Sequence, residues 1–223
     1  MPEILLSTTS NITLVGGAAF PGSLLQRALR HAPHLVAADS GADRADSLGH
    51  RPDAIIGDMD SINKIETWQN SDVSMYRITE QDTTDFEKCL YSLSAPLILG
   101  CGFLGARLDH QLAAMSTLVR HADKRVVLLG EHEVVFHWPR RLALDLAPGA
   151  SVSFFPMLPV QGVVSDGLQW PVAGLDFAPG SRIGTSNRAL GRIEAAFDGD
   201  GMLALLPLDQ LDAVVEGLST PGR

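Results

Sequence analysis

Asp58 and Asp60 flank one methionine in the stretch Arg51-Pro52-Asp53-Ala54-Ile55-Ile56-Gly57-Asp58-Met59-Asp60-Ser61. If the chain is locally extended there, alternate side chains share a face and both carboxylates point the same way. Two hard oxygen ligands on one side suit Mg²⁺, whose remaining positions go to water and substrate phosphates. A second stretch, Gln81-Asp82-Thr83-Thr84-Asp85-Phe86-Glu87-Lys88, sets Thr84 and Lys88 four apart on one helical face with Asp85 adjacent. If that helix starts near Thr83, Asp82 or Thr83 caps it, leaving free N–H groups close to a bound phosphate. Two further segments carry acids: Ala37-Ala38-Asp39-Ser40-Gly41-Ala42, and Gly105-Ala106-Arg107-Leu108-Asp109-His110. A single Asp after a strand usually ends a turn or caps a helix. Three carboxylate motifs beyond three successive strand ends would repel one another unless a cation stood among them.

Other chemistries fit worse. The sequence has no G-x-x-x-x-G-K-[ST] loop, no G-x-G-x-x-G following a strand and no G-x-S-x-G elbow. Cys89 falls in an amphipathic helix without an adjacent base, so it is not expected to be a nucleophile. His31 with His34, and His132 with His137, lack zinc spacing and read as surface or turn residues. The formal net charge of −9 argues against nucleic acid, since binding a polyanion rests on Lys and Arg. It also makes a phosphate-handling site depend on a divalent cation between acids and substrate.

The elements that must position these residues alternate in the first half. Strands are expected at Ile12–Val15, Leu35–Ala38, Ala54–Ile56, Met75–Ile78, Leu97–Leu99 and Val126–Leu129. Helices are expected near Ser23–Arg30, Ala42–Leu48, Thr84–Leu93 and His110–His121. Such alternation implies βαβ units and a parallel sheet, with ligands gathering beyond the carboxyl ends of the strands. After about Gly130, short apolar runs punctuated by Pro, Gly and Asp predict an all-β sandwich or barrel. The expected fold is an α/β N-terminal domain with a parallel, Rossmann-like sheet over residues 1–130, then a β-sandwich over 131–223. Hydrophobic residues make up 45% of the 223, ample for a buried core. Cys89 and Cys101, the only cysteines, form no disulfide framework, and Met1-Pro2-Glu3 begins no secretory signal, so a cytoplasmic setting is expected. The apolar stretch Ala95–Ala106 is too short for a membrane span.

At these same residues the sequence resembles the thiamine pyrophosphokinase family. Asp39-Ser40-Gly41-Ala42-Asp43-Arg44 is similar to its A-D-G-G-A-N-R segment, and Arg51–Ile62 to K-P-D-x-I-I-G-D-x-D-S-I. Gln81–Lys88 resembles D-Q-D-x-T-D-x-x-K, and Arg107-Leu108-Asp109-His110 resembles G-G-R-x-D-H/Q. Gly167-Leu168-Gln169-Trp170-Pro171 and Gly184-Thr185-Ser186-Asn187 resemble G-L-x-W-x-L and x-S-N-E. Four positions depart from the pattern: Ser40 for Gly, Asp43 for Asn, Glu80 for Asp and Arg188 for Glu.

The resemblance implies pyrophosphoryl transfer from ATP to the hydroxyl of thiamine. It assigns Asp58, Asp60 and Asp85 to Mg²⁺, and Asp39, Gln81, Thr84, Lys88, Arg107 and His110 to ATP. Either Asp85 or Asp109 would accept the hydroxyl proton. Trp170, Ser186 and Asn187 would hold thiamine, the indole stacking from the partner in a homodimer. Two rival expectations are a pyrophosphokinase acting on a hydroxymethyl-dihydropterin and a non-catalytic sensor of nucleotide or thiamine diphosphate.

Overall fold

The computed structural model describes residues 3–63, 65–105 and 107–219; Ala106 of the fourth motif lies outside them. The chain divides into two compact units, residues 1–117 with 128–131, and residues 118–127 with 132–223.

In chain order the first unit runs β1 (Leu6–Ser7), β2 (Ile12–Val15), α1 (Gly22–His31), β3 (His34–Ala38), α2 (Gly41–Ser47) and β4 (Ala54–Gly57). It continues with α3 (Ile65–Gln69), β5 (Ser74–Arg77), α4 (Asp85–Ser92), β6 (Leu93–Ser94), β7 (Ile98–Cys101) and α5 (Leu108–Arg120), whose last turn counts with the second unit. Strands pair in parallel in the order β7-β2-β3-β4-β5. Every residue of β2, β4 and β7 is buried, which is why they read as continuous apolar runs rather than as alternation. Under β3 and β4, Ala37, Ala42, Ile55, Ile62, Trp68 and Val73 pack into one cluster, which anchors the segments leaving both strands. The expected strands and helices of this half are present, with ends shifted by one or two residues. Helix α3 and the short pair β1–β6 are additions. Strand β8 (Val126–Leu129) matches its expected span.

The second unit holds β9 (Glu133–His137), β10 (Arg141–Asp145), β11 (Ser151–Pro156), β12 (Val160–Leu168), β13 (Asp176–Phe177), β14 (Thr185–Phe197) and β15 (Met202–Pro207), then a 3₁₀ turn at Leu208–Gln210 and α6 (Leu211–Ser219). These strands pair antiparallel, in contrast to the first unit. The 13-residue β14 is the organiser: residues 185–188 pair with β11, and residues 192–196 with β10. Its core is a run of aromatic contacts, Phe136–Trp138–Phe154–Phe197–Phe177, with ring centroids 5.1–6.2 Å apart. The fully buried Trp138 donates its indole N–H to the Ala195 carbonyl at 3.2 Å. An all-β unit was expected here. Instead α6 buries Leu211, Val214 and Leu218, so the unit closes with a helix whose apolar face is covered.

Candidate active site

The acidic residues meet because β3 and β4 are neighbours whose carboxyl ends both break away from extended geometry. Asp39, one residue past β3, has φ 47° and donates its N–H to the Ile56 carbonyl at 2.9 Å. Beside it, Gly57 has φ 156°, and a Cβ there would lie 2.9 Å from the Asp39 Cβ. Only a residue without a side chain lets the two strand ends approach so closely. Gly41 does the same for α2: a Cβ would sit 2.0 Å from the Val15 carbonyl oxygen.

Asp58 and Asp60 do share a side, but not through extended chain. Met59 between them has φ 69°, and the Asp60 N–H turns back to donate to Asp58 Oδ1 at 3.2 Å. A left-handed conformation costs an L-residue about 1–2 kcal/mol. Non-glycine residues held so are concentrated at functional sites. Ligand oxygens of Asp39, Asp58 and Asp60 all lie within 4.8 Å of one another. Asp39, expected among the ATP contacts, is thus the third member of the tightest acidic group.

Asp85 is not in that trio. It opens α4 and accepts from Lys88 Nζ at 3.2 Å, while the same ammonium donates to Asp58 Oδ2 at 3.1 Å. Lys88 is 2% exposed. An ammonium so enclosed is a built-in counter-charge for both acids, leaving little of it for solvent or ligand. Gln81 reaches the same Asp58 oxygen through its amide N–H at 3.1 Å. Arg77 donates to the Asp58 carbonyl at 3.2 Å. The cap of α4 is Thr84, whose hydroxyl oxygen accepts from the Glu87 N–H at 3.3 Å, rather than Asp82 or Thr83.

Burial works against the Asp58 carboxylate, yet hydrogen bonds from Asp60, Lys88 and Gln81 carry its pKa down to about 2. Asp39 goes the other way. Burial first, then the charges of Asp85 and Asp58, hold it above the ordinary range, and its Oδ1 is buried with no hydrogen-bond partner. Asp85 is also raised, by burial and by Asp58 and Asp60, with Lys88 opposing. One firmly ionised acid beside two reluctant ones describes a cluster short of positive charge.

Arg107 and Asp109, at the start of α5, form an exposed two-point ion pair at 3.1 and 2.6 Å, and the His110 N–H donates to Asp109 at 3.0 Å. The Arg107 bond keeps Asp109 below the ordinary carboxylate range. Among the described residues, no hydrogen bond or ion pair joins this group to the acidic cluster. Cys89 is buried, and burial raises its thiol well above normal, in keeping with its exclusion as a nucleophile.

In the second unit Trp170 is 51% exposed while its main chain is pinned: its N–H donates to Asn187 Oδ1 at 3.1 Å and its carbonyl accepts from Asn187 Nδ2 at 2.6 Å. Asn187 is buried, and also accepts from the Arg188 N–H at 2.9 Å. Its amide is therefore spent on the main chain. Ser186 is exposed on β14, opposite Ser153. Glu80, which the motifs mark only as a departure, gathers four donors on its carboxylate, three from the loop before α4 and one from Tyr91 within α4.

Comparison with known proteins follows the same division. The family model for the thiamin pyrophosphokinase catalytic domain matches residues 25–129, and that for the thiamin pyrophosphokinase vitamin B1 binding domain matches residues 135–201. Thiamine pyrophosphokinase 1 of Arabidopsis thaliana is 29% identical over 190 residues, covering 70% of this chain and 71% of its own. A relative from Oryza sativa subsp. japonica, also called thiamine pyrophosphokinase 1, is 29% identical over 204 residues, covering 74% and 77%. Among solved structures, thiamin pyrophosphokinase from Candida albicans aligns with TM-score 0.75 at 16% identity, covering 89% of each chain. That from Geobacillus thermodenitrificans aligns with TM-score 0.72 at 24% identity, covering 88% of this chain and 96% of its own. The solved structures establish likeness of fold; the two domain models, in order over most of the sequence, establish that the chain belongs to the thiamin pyrophosphokinase family.

Proposed function

We propose that Asp39, Asp58 and Asp60, with Asp85 beside them, form the Mg²⁺ and ATP-phosphate site, and that the thiamine hydroxyl attacks the β-phosphorus in line with AMP leaving. The enzyme is a thiamine pyrophosphokinase, a transferase that makes thiamine diphosphate from thiamine with ATP as co-substrate. The observation that carries the site assignment is the trio of carboxylates within 4.8 Å, one of them buried with an unpartnered oxygen. Three hard carboxylate oxygens gathered this closely fit a hard divalent cation. When bound, Mg²⁺ supplies positive charge that stabilises the transferring phosphoryl oxygens.

The protein's own groups do the remainder. Lys88 and Gln81 fix Asp58 in its ionised form, while the Met59 turn sets Asp60 beside it. Of the two candidate bases, Asp85 suits better. Burial raises its proton affinity within the cluster, whereas Asp109 is exposed, ionised and committed to Arg107. Arg107, paired with Asp109, and His110 would meet ATP phosphates from the exposed start of α5, and Thr84 orders the N-terminus of α4. No covalent intermediate is required, since positioning and electrostatics lower this kind of barrier.

The half-exposed Trp170 indole would stack on the thiamine rings, with exposed Ser186 also contacting thiamine and Asn187 holding the Trp170 main chain in place. We assign the ATP role to a Rossmann-like α/β domain of residues 1–130, and thiamine binding and homodimerisation to a β-sandwich of residues 131–223. Exposed Phe155, Val163, Ile183 and Leu190 give that second part apolar surface to bury against a copy. Two reduced, buried cysteines suit a cytoplasmic enzyme. Among the described residues no helix is long and apolar enough to cross a membrane.

The test is AMP formation from ATP with and without thiamine, and with Mg²⁺ chelated. Release of AMP only when both thiamine and Mg²⁺ are present is expected. AMP release with a hydroxymethyl-dihydropterin instead, or ligand binding by calorimetry without any AMP, would overturn the reading.

A further inference from the structure

We propose that Glu80, together with Tyr91, is a positioning residue for pyrophosphoryl transfer, clamping the loop before α4 so that Gln81 and Asp85 meet Asp58 and Lys88 in register. The proposal rests on the transfer reaction described above and goes beyond it to a residue that touches neither substrate nor metal.

The loop from Ile78 to Thr84 links β5 to α4 and has no regular hydrogen bonding of its own. Beyond the Ile78 N–H bond to the Gly57 carbonyl and the Gln81 bond to Asp58, one carboxylate gathers its donors. Glu80 Oε2 accepts from the Asp82 N–H at 2.8 Å and the Thr83 N–H at 3.1 Å, and Glu80 Oε1 accepts from the Thr83 hydroxyl. Oε1 also accepts from the Tyr91 hydroxyl at 3.0 Å. Three of the donors lie within the loop, and the fourth stands nearly two turns along α4. The carboxylate therefore ties the loop to the helix it feeds, not merely to itself.

Everything carried by that join belongs to the acidic cluster. Gln81 follows Glu80 directly and donates to Asp58 Oδ2. Thr84 caps α4, Asp85 opens it, and Lys88 one turn later bonds both Asp85 and Asp58. A shift of this loop by even an ångström would move three of the groups that surround Asp58 at once. Misplacement on that scale can cost about 100-fold in rate. Glutamate suits the task better than the shorter aspartate of the family pattern, because a side chain one methylene longer reaches both the loop N–H groups and the Tyr91 hydroxyl.

The experiment compares Glu80→Ala, Glu80→Gln, Glu80→Asp and Tyr91→Phe with the parent protein. Readouts are kcat, KM for ATP and KM for thiamine from AMP release, with hydrogen exchange at the Asp82 and Thr83 amides. Glu80→Ala should lower kcat/KM for ATP roughly 10–100-fold, as loss of outer-shell support does elsewhere, and should deprotect both amides. KM for thiamine should stay unchanged, a split that simple loss of folded protein would not produce. Glu80→Asp should recover part of the rate, and Tyr91→Phe should lose less than Glu80→Ala. Should Glu80→Ala fail to fold, Glu80→Gln, which keeps the volume but offers one acceptor oxygen, carries the same test. A folded Glu80 variant with parental kcat and KM for ATP would overturn the proposal. That failure differs from a parent protein that makes no thiamine-dependent AMP, which would remove the reaction itself while amide exchange still reported the clamp.

Discussion

Lys88 Nζ lies 3.1 Å from Asp58 Oδ2 and is almost sealed from solvent, so the resting site already carries one positive charge against its acids. Removing one partner of a buried pair leaves the other charge uncompensated and costs about 3–5 kcal/mol. Lys88→Met should therefore lose stability on that scale in urea unfolding, along with nearly all AMP release. A variant as stable as its parent would show that the pair contributes little.

The aspartates should separate by role. Asp58→Asn and Asp60→Asn remove charge from the acidic cluster proposed to face the phosphates. A loss of several kcal/mol of transition-state stabilisation corresponds to on the order of 1,000-fold or more in turnover. Circular dichroism should show both variants folded, and parental activity in both would cancel the metal assignment.

Asp39→Asn should behave differently. Its carboxyl is raised by burial and by neighbouring negative charge, with Oδ1 unpartnered, so the folded state disfavours its ionised form. A neutral isostere relieves that cost. The variant should melt at a higher temperature than the parent while losing activity, an exchange of stability for function. A lower melting temperature would mean that the charge supports the resting fold.

Acid should reveal opposing trends. The Asp58 pKa falls from the ordinary 3.8 to about 2 on folding, so its stabilisation is complete above about pH 4 and is lost as pH drops towards 2. Asp39 and Asp85 have raised values, so protonating them favours the folded state as the medium first becomes acidic. Denaturant titrations from pH 7 to pH 2 should show the steep decline only in the lowest interval, and Asp58→Asn should flatten that interval.

The two tryptophans of the second unit give a controlled contrast. Trp138 is fully buried among Phe136 and Phe154, and Trp138→Ala should cost about 3–5 kcal/mol. Trp170 is half exposed, so Trp170→Ala should leave stability nearly intact while raising KM for thiamine. Loss of one stacking contact of about 0.5–1.5 kcal/mol corresponds to roughly 2–12-fold. Equal effects on stability would contradict the assignment of Trp170 to ligand.

Much of the first unit was legible because a doubly covered parallel sheet writes itself as apolar runs, and the acids stand directly after them. Helix α3 escaped because Ile65–Gln69 is too short to display a helical period. Strand β14 is hard to read as one element, since Ser186-Asn187 and Gly191 look like turn signals although they lie within it. Helix α6 was available from Leu211, Val214 and Leu218, spaced to share a face, and was passed over. At the site, the residue types pointed correctly to a cluster, but its geometry was hidden. A left-handed methionine between two acids has no sequence signature, and the meeting of Asp39 with Asp58 depends on β3–β4 neighbourhood and on the absent side chain of Gly57. Glu80 was noticed only as a deviation, because two of its partners are backbone N–H groups, which any sequence supplies.

Asn187 works as a splint. With its amide committed to the main chain on both sides of residue 170, the path of that segment is set independently of the ring it displays. Other aromatic or aliphatic groups can then be installed at position 170 without rebuilding the strand beneath. If Trp170 holds the vitamin as proposed, a saturation library at this single codon is the entry point for redesigning what the enzyme accepts.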